Sequence, residues 1–433
     1  MAASMVQLLR LWWRRGGRDR VVAFAGFGIL VLTLLFTVGS LFHDAGERPD
    51  FVGQSDGPVL VDLTLVHDAE KKGAVCLDGS PPGYYLHRGF GSGADSWIVH
   101  LEGGGWCDSI VSCSSRARKP LGSSHYFDRQ IPFYGILNHH PSLNPDFYNW
   151  NRVKVRYCDG ASMAGDVDNE SQNSTNLFFR GKRVWEAVMN ELLSKGLANA
   201  KQALLTGCSA GGLATFIHCD DFQALLPKQT TVKCLPDAGF FLDGEDISGK
   251  RTLRSFYHNV VHLQDLTKHL SKDCISKTEP AQCFFPQEFI KYIHTPLFIL
   301  NPAYDAWQVQ HVLAPYKSDP EGDWQKCRLN IHNCDQKNIE ALQDFRNKML
   351  NALTEFRKSK NGGMFINSCF THCQSHSNIT WHSPTSPKIN NRTIAEVVGD
   401  WFFNRREAKE IDCPYPCNPT CYHLDLNAIW PGA

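Results

Sequence analysis

The chain has 433 residues, of which 42% are hydrophobic, enough for one large globular domain or two ordinary ones. Lys+Arg and Asp+Glu balance at 44 each, which excludes the global positive field that draws a protein to nucleic acid. Sixteen cysteines, all between Cys76 and Cys421, point to disulfides in an oxidising compartment. The N-x-S/T sequons at Asn169, Asn173, Asn378 and Asn391 mark glycosylation sites in that same compartment.

Residues 1–20 form a basic tail, with five arginines against Asp19. Val21 to Phe42 is an uncharged run of 22 residues, long enough to span a bilayer core of ~30 Å as a helix. Arginines before it and Asp44, Glu47 and Asp50 after it predict a type II signal anchor with the remainder lumenal. A cleaved signal peptide ending near Val38-Gly39-Ser40 is the alternative. Residues 43–57 read as a stem, and 58–433 as the lumenal or extracellular domain.

Val59–Val66 alternates as a first strand, and Trp97–Glu102 is a strand that runs into Gly103-Gly104-Gly105-Trp106-Cys107. Arg152–Gly160 is a strand ending in a turn. Leu177–Lys195 carries a helical apolar stripe closed by Gly196. Residues 221–290 read as irregular insertions or a cap. Thr295–Leu300 is a strand, 311–335 polar loop, Gln336–Lys358 a helix, and Gly362–Ser368 the last strand. This order of elements predicts an α/β fold: a mostly parallel sheet covered by helices, with disulfide-rich insertions.

The chain is organised around Ala203 to Gly212. A short apolar run leads into Gly207-Cys208-Ser209-Ala210-Gly211, the G-x-S-x-G of a nucleophile elbow, and then into a helical stripe. Acidic and imidazole partners follow at Asp305 and His372, each just after a predicted strand, in the Ser…Asp…His order of an α/β-hydrolase. His376 and His382 compete with His372; Asp243, Asp246, Asp265 and Asp323 compete with Asp305. The expected roles are nucleophile for Ser209, general base then acid for His372, and orientation of the imidazole for Asp305. Backbone amides of Gly105, Trp106 and Ala210 are the candidate oxyanion hole. The chemistry calls for no metal or cofactor. Cys413-x3-Cys417-x3-Cys421, and Cys369 and Cys373 beside His372, lack the partners of a zinc site. Cys208 is either a disulfide partner or a buried free thiol.

Leu101-Glu102-Gly103-Gly104-Gly105-Trp106-Cys107, Tyr157-Cys158-Asp159-Gly160-Ala161-Ser162, the elbow, Asn301–Gln308 and Cys369–Gln374 together resemble the plant pectin acetylesterases, a family related to the animal carboxylesterase Notum. The resemblance covers roughly residues 58–425. It implies an α/β-hydrolase-like fold, removal of acetyl esters from cell-wall pectin, and Ser209, Asp305 and His372 as the triad. Such proteins are commonly secreted after signal cleavage, so the long apolar run raises a Golgi membrane form beside a cell-wall one.

Arg116, Arg118 and Lys119 are candidates for meeting uronate carboxylates, with a solvated basic loop as the plainer reading. Trp106, Tyr157 and Asp159 are further candidate substrate contacts. The expected partner is an acetylated polysaccharide, met by a monomer. Two other readings stand beside this one: a Notum-like deacylase of a longer acyl ester on a protein or lipid, and a glycoprotein that binds polysaccharide without turnover.

Overall fold

The apolar runs of the sequence become strands of one large sheet. In the computed structural model, residues 57–167 and 176–426 are described. The basic tail, the apolar run 21–42, nearly all of the stem, and Asn169 and Asn173 lie outside them. Among the described residues no helix is long and apolar enough to cross a membrane.

The strands are β1 (Leu60–Leu65), β2 (Gly83–His87), β3 (Ser96–Leu101), β4 (Gln130–Pro132), β5 (Asn151–Val155), β6 (Gln202–Cys208), β7 (Thr231–Asp237), β8 (Phe298–Leu300), β9 (Gly363–Ile366), the hairpin strands β10 (Lys388–Ile389) and β11 (Arg392–Thr393), and β12 (Lys409–Ile411). All but the hairpin pair join a 10-stranded sheet in the order β12-β9-β8-β7-β6-β3-β5-β2-β1-β4. Neighbours from β12 to β5 run parallel. β2, β1 and β4 extend the sheet antiparallel.

Both faces of the central strands are covered, which is why they read as continuous apolar runs. Trp97, Val99 and Leu101 of β3 and Ala203 and Leu205 of β6 face one core. Ile98 and Leu204 point to the other, with Leu235, Phe298 and Phe365. The main helices are α1 (Ile110–Arg116), α2 (Gly181–Ser194), α3 (Ala210–Ala224), α4 (Thr252–Leu263), α5 (Gln336–Ala352) and α6 (Ile394–Phe402). Val184, Trp185 and Val188 of α2 and Leu213 and Phe216 of α3 pack on the first face. Ile394, Val398 and Trp401 of α6 pack on the second. Each fully buried Leu or Val side chain contributes roughly 1.5–3 kcal/mol.

Several boundaries differ from the sequence expectation. The stretch 221–290 is not wholly irregular: it contains β7, a central strand beside β6. Lys233 and Pro236 break its apolar pattern. The buried Lys233 ammonium is satisfied by Trp401 O at 2.7 Å and Asn404 Oδ1 at 2.8 Å. Helix α2 starts at Gly181, because Phe178 N instead donates to Leu77 O at 2.9 Å. The expected helix 336–358 breaks at Leu353 into α5 and a short helix, Thr354–Arg357. β9 is not the last strand, since β12 adds to it at the sheet edge.

Every cysteine is paired: 76–158, 107–113, 208–373, 219–234, 274–283, 327–334, 369–421 and 413–417. The zinc-like spacing at the C-terminus is therefore disulfide spacing, and Cys208 is not a free thiol.

Candidate active site

Ser209 stands between the last residue of β6 and the first of α3, at φ 59° and ψ −123°. A non-glycine residue reaches that region only when its surroundings enforce it. They do so by close packing. A Cβ on Gly211 would lie 2.2 Å from Leu101 O, and one on Gly103 would lie 2.4 Å from Cys208 O. Only glycine lets the turn sit this tightly against β3 and its following loop. The Ser209 amide donates to Asp237 O at 2.9 Å, and Leu213 N returns to Ser209 O at 2.9 Å. The start of α3 thus points its free amides at the serine, where they favour developing negative charge.

Asp305 follows β8 and caps the helical turn Ala306–Gln308, accepting from Gln308 N through Oδ1 at 2.9 Å. Its Oδ2 accepts from His372 Nδ1 at 2.8 Å. The backbone bond from Ala306 N to Thr371 O, 3.0 Å, ties the two loops together. With Nδ1 donating to the carboxylate, Nε2 carries the lone pair that a general base needs. Burial pushes the His372 pKa down, but the charge and hydrogen bond of Asp305, helped by Asp237, outweigh it and leave it raised. Ser209 and His372 line one cavity of about 620 Å³. Among the described residues the imidazole is anchored by Asp305 and makes no hydrogen bond to Ser209 Oγ.

Most of the competing residues are occupied elsewhere. Asp243 pairs with Arg251 and Arg254. Asp246 accepts from Ser248 and Thr252 at 2.7 and 2.6 Å. Asp265 pairs with Lys268 at 2.8 Å. His382 bonds Thr393 Oγ1 at 2.8 Å, His376 lines the cavity without an acid partner there, and the exposed Asp323 does not line it.

The glycine loop is held from behind. Gly104 (φ 142°) and Gly105 (φ 64°) line the cavity. Arg116 Nη1 donates to Gly104 O at 2.8 Å, and Tyr157 OH donates to Gly105 O at 2.8 Å. In a trans peptide the next N–H points opposite to the carbonyl. Pinning these two carbonyls therefore turns the amides of Gly105 and Trp106 the other way. Ser162 completes the support: its Oγ donates to Ala210 O at 2.8 Å and accepts from Trp106 Nε1 at 2.8 Å, while its amide donates to Tyr157 OH at 3.0 Å.

None of the candidate substrate contacts Trp106, Tyr157, Asp159, Arg116 and Arg118 lines the cavity. Tyr157 and Asp159 are 1% and 0% exposed. Asp159 accepts from the amides of Ala161 and Met163 at 3.0 and 2.9 Å and shapes the loop that carries Ser162. Burial raises its pKa to about 6, against the lowering effect of those bonds. Arg116 is committed to Gly104 O, to Leu121 O at 2.8 Å and to the Tyr157 ring, 4.8 Å away. Arg118 and Lys119 are exposed and do not line the cavity. Trp106 sits in an aromatic cluster, its ring 5.0 Å from those of Phe241 and Tyr257 and 5.7 Å from Trp307.

Asp237 ends β7, inside the stretch 221–290 whose sequence predicts irregular structure. Its Oδ2 accepts from Gln374 N, Ser375 N and Ser375 Oγ at 2.7, 2.6 and 2.7 Å. Burial outweighs these bonds and raises its pKa to about 6. One residue thus holds Ser209 by its carbonyl and the loop after His372 by its carboxylate. A run of Val232, Cys234 and Leu235 was the signal for its strand, obscured by Lys233 and Pro236.

Of the described sequons, Asn391 is exposed at the β10–β11 turn, where Asn390 and Asn391 have φ 51° and 62°. Asn378 is half-buried and its Oδ1 accepts from Gly135 N at 2.8 Å.

The chain is thus an α/β protein whose mostly parallel sheet carries, at its carboxyl end, a strained serine on a strand–helix turn, an Asp–His pair and a glycine loop. The solved structure of the Wnt deacylase Notum from Drosophila shares the fold, with a TM-score of 0.70, 23% identity, and coverage of 84% of this chain and 100% of that one. The chain belongs to the pectinacetylesterase family, whose model, Pectinacetylesterase, matches residues 54–422. Pectin acetylesterase 5 of Arabidopsis thaliana is 54% identical over 412 residues, 94% of this chain and 96% of that protein. A more distant relative, the palmitoleoyl-protein carboxylesterase notum1' of Xenopus laevis, is 27% identical over 393 residues, 84% of this chain and 75% of that protein.

Proposed function

We propose that this chain is a carboxylic-ester hydrolase that removes acetyl groups from pectin, with Ser209 as nucleophile, His372 as general base and acid, and Asp305 as the partner that orients and steadies the imidazolium. The observation that carries the mechanism is the 2.8 Å Asp305–His372 bond, which holds the imidazole in the cavity that His372 and Ser209 both line. The pectin substrate is supported by family membership and by the likeness to Pectin acetylesterase 5.

The steps follow from the geometry. Ser209 Oγ attacks the acetyl carbonyl as His372 Nε2 takes its proton. The oxyanion is met by the amides of Gly105, Trp106 and Ala210; one such donor is worth roughly 100–1000-fold in rate. The tetrahedral intermediate collapses, and His372 returns the proton to the departing sugar hydroxyl. Water, deprotonated by His372, then releases acetate from the acyl-enzyme.

A long-acyl reading finds no support in the space behind the glycine loop. Phe241, Tyr257 and Phe284, each 0% exposed, fill it against Trp106. The non-catalytic reading leaves the strain stored at Ser209 without a purpose. A secretory destination, at the cell wall or as a Golgi type II form, is supported by full pairing of the cysteines. In the Golgi form residues 21–42 act as the anchor; in either form Asn169, Asn173, Asn378 and Asn391 carry glycans and the domain works as a monomer.

The test is acetate release by residues 58–433 and by its Ser209→Ala variant. The panel compares acetylated pectin, acetylated xylan and p-nitrophenyl esters from acetate to octanoate. The expected result is a preference for pectin and acetate, lost in Ser209→Ala with the circular dichroism unchanged. Retained turnover in Ser209→Ala, or octanoate leading with pectin inert, overturns the proposal.

A further inference from the structure

One wall of the cavity carries groups that the hydrolysis of an ester does not use. His100, Glu102, Lys154 and His376 line it beside Ser209. Their placement follows from the sheet. His100 of β3 is in register with Lys154 of β5 on one side and Thr206 of β6 on the other. All three lie near the carboxyl ends of parallel strands, where open α/β sheets bind ligands.

The charges on this wall do not balance. Glu102 is the acid that meets Lys154, Nζ to Oε1 3.5 Å, but the same oxygen is 3.1 Å from Arg156 Nη1. The other oxygen of Glu102 accepts from Tyr157 N at 3.2 Å. Arg156 is 8% exposed as a side chain and has the closer approach, while Lys154, 29% exposed, opens to the cavity. One carboxylate therefore serves two cations. Beside them His100 is 2% exposed, and its Nδ1 is buried without a hydrogen-bond partner. A buried polar atom with no partner is costly and calls for an explanation. Burial lowers the pKa of His100 and of His376 and keeps both imidazoles neutral, so the surplus positive charge on this wall is that of Lys154, and an anionic ligand completes it.

We propose that Lys154, with His100 and His376, forms a carboxylate subsite that holds a uronate carboxyl group of the polysaccharide while Ser209 attacks an acetyl ester of the same chain. This rests on the pectin reading above and names the feature of pectin that the site reads. It also transfers the uronate contact from the exposed Arg118 and Lys119, which stand away from the cavity, to a lysine within it. A charge-assisted contact of this kind corresponds to about a tenfold or greater effect on recognition.

The experiment compares kcat/KM for acetate release from two pectins of equal acetylation, one with free carboxyl groups and one fully methyl-esterified. Wild type is expected to favour the free-acid pectin by about tenfold at low salt, with the preference shrinking as salt rises. Lys154→Met is expected to lose the preference, and Lys154→Arg to keep most of it. General damage lowers both rates together and leaves their ratio unchanged, so the ratio separates recognition from folding. No preference in wild type, or an undiminished preference in Lys154→Met, overturns the subsite. Release from neither pectin, with p-nitrophenyl acetate still cleaved by wild type, overturns the pectin reading instead.

Discussion

Cys208 and Cys373 are joined by a disulfide, so the residue before Ser209 is covalently tied to the residue after His372. The two lie 165 residues apart in sequence. The bond runs in parallel with the Asp237 contacts, which link the same two loops without covalency. Ser209 and His372 are thereby fixed relative to each other by two independent means.

Removing that bond in a Cys208→Ala, Cys373→Ala double variant should lower stability by about 2–4 kcal/mol with the other disulfides intact. Urea unfolding measures this. Esterase activity should fall at least tenfold even at temperatures where the variant is folded, because a shift of the His372 loop of about 1 Å misplaces the base. Full activity in the folded variant would show that Asp237 alone sets the geometry.

In the proposed mechanism Asp305 sets the pH profile. Because His372 is raised above 6.5, the neutral imidazole needed for attack is lost as pH falls through that raised value. The acid limb of kcat/KM on p-nitrophenyl acetate should therefore lie above pH 6.5. Asp305→Asn removes the raising charge and leaves burial, so the limb should move to lower pH while kcat drops about 10⁴-fold. The stability linkage has the matching sign. The Asp305–His372 pair contributes stability that is fully present below pH 6.5 and is lost as pH rises through the folded-state value.

Tyr157 acts through the backbone. Tyr157→Phe deletes the bond to Gly105 O but keeps the ring under Arg116. The expected outcome is a fall in kcat of about 10–100-fold with KM little changed, since the amides it orients meet charge only in the transition state. A rise in KM with kcat intact would instead mark Tyr157 as a substrate contact.

Trp307 borders both the cavity and the aromatic cluster, 5.1 Å from Phe241 and 5.7 Å from Trp106. Trp307→Ala should open apolar space beside Ser209 and raise the octanoate-to-acetate rate ratio severalfold. The stability cost should be about 3–5 kcal/mol if the site does not collapse. An unchanged chain-length profile would put the acyl boundary elsewhere.

Much of the site was legible because its demands are local. A strained serine needs small neighbours, so Gly207 to Gly211 is visible as a pattern. Strands buried on both faces read as apolar runs, so β3, β6 and β8 stand out. β7 did not, because a buried lysine and a proline break its pattern, and their compensation at Trp401 and Asn404 is 168 and 171 residues away. Asp237 was lost with it. Tyr157, Asp159 and Arg116 were recognised as belonging near the site, but whether they face substrate or support the loop depends on what packs behind them.

The turn at Ser209, the order of Asp305 and His372 along the chain, the parallel sheet and the family are all written in the local pattern of the chain. These follow from short-range backbone constraints and from apolar periodicity, which a single segment can express. Tertiary structure decided the cysteine pairing, the double hold of Asp237, the inward turn of Tyr157 and the exposure of Lys154 to the cavity. Each of those depends on which strand lies beside which. Placing β3, β5 and β7 around β6 brings residues distant in sequence within hydrogen-bonding distance, and no local pattern records that neighbourhood.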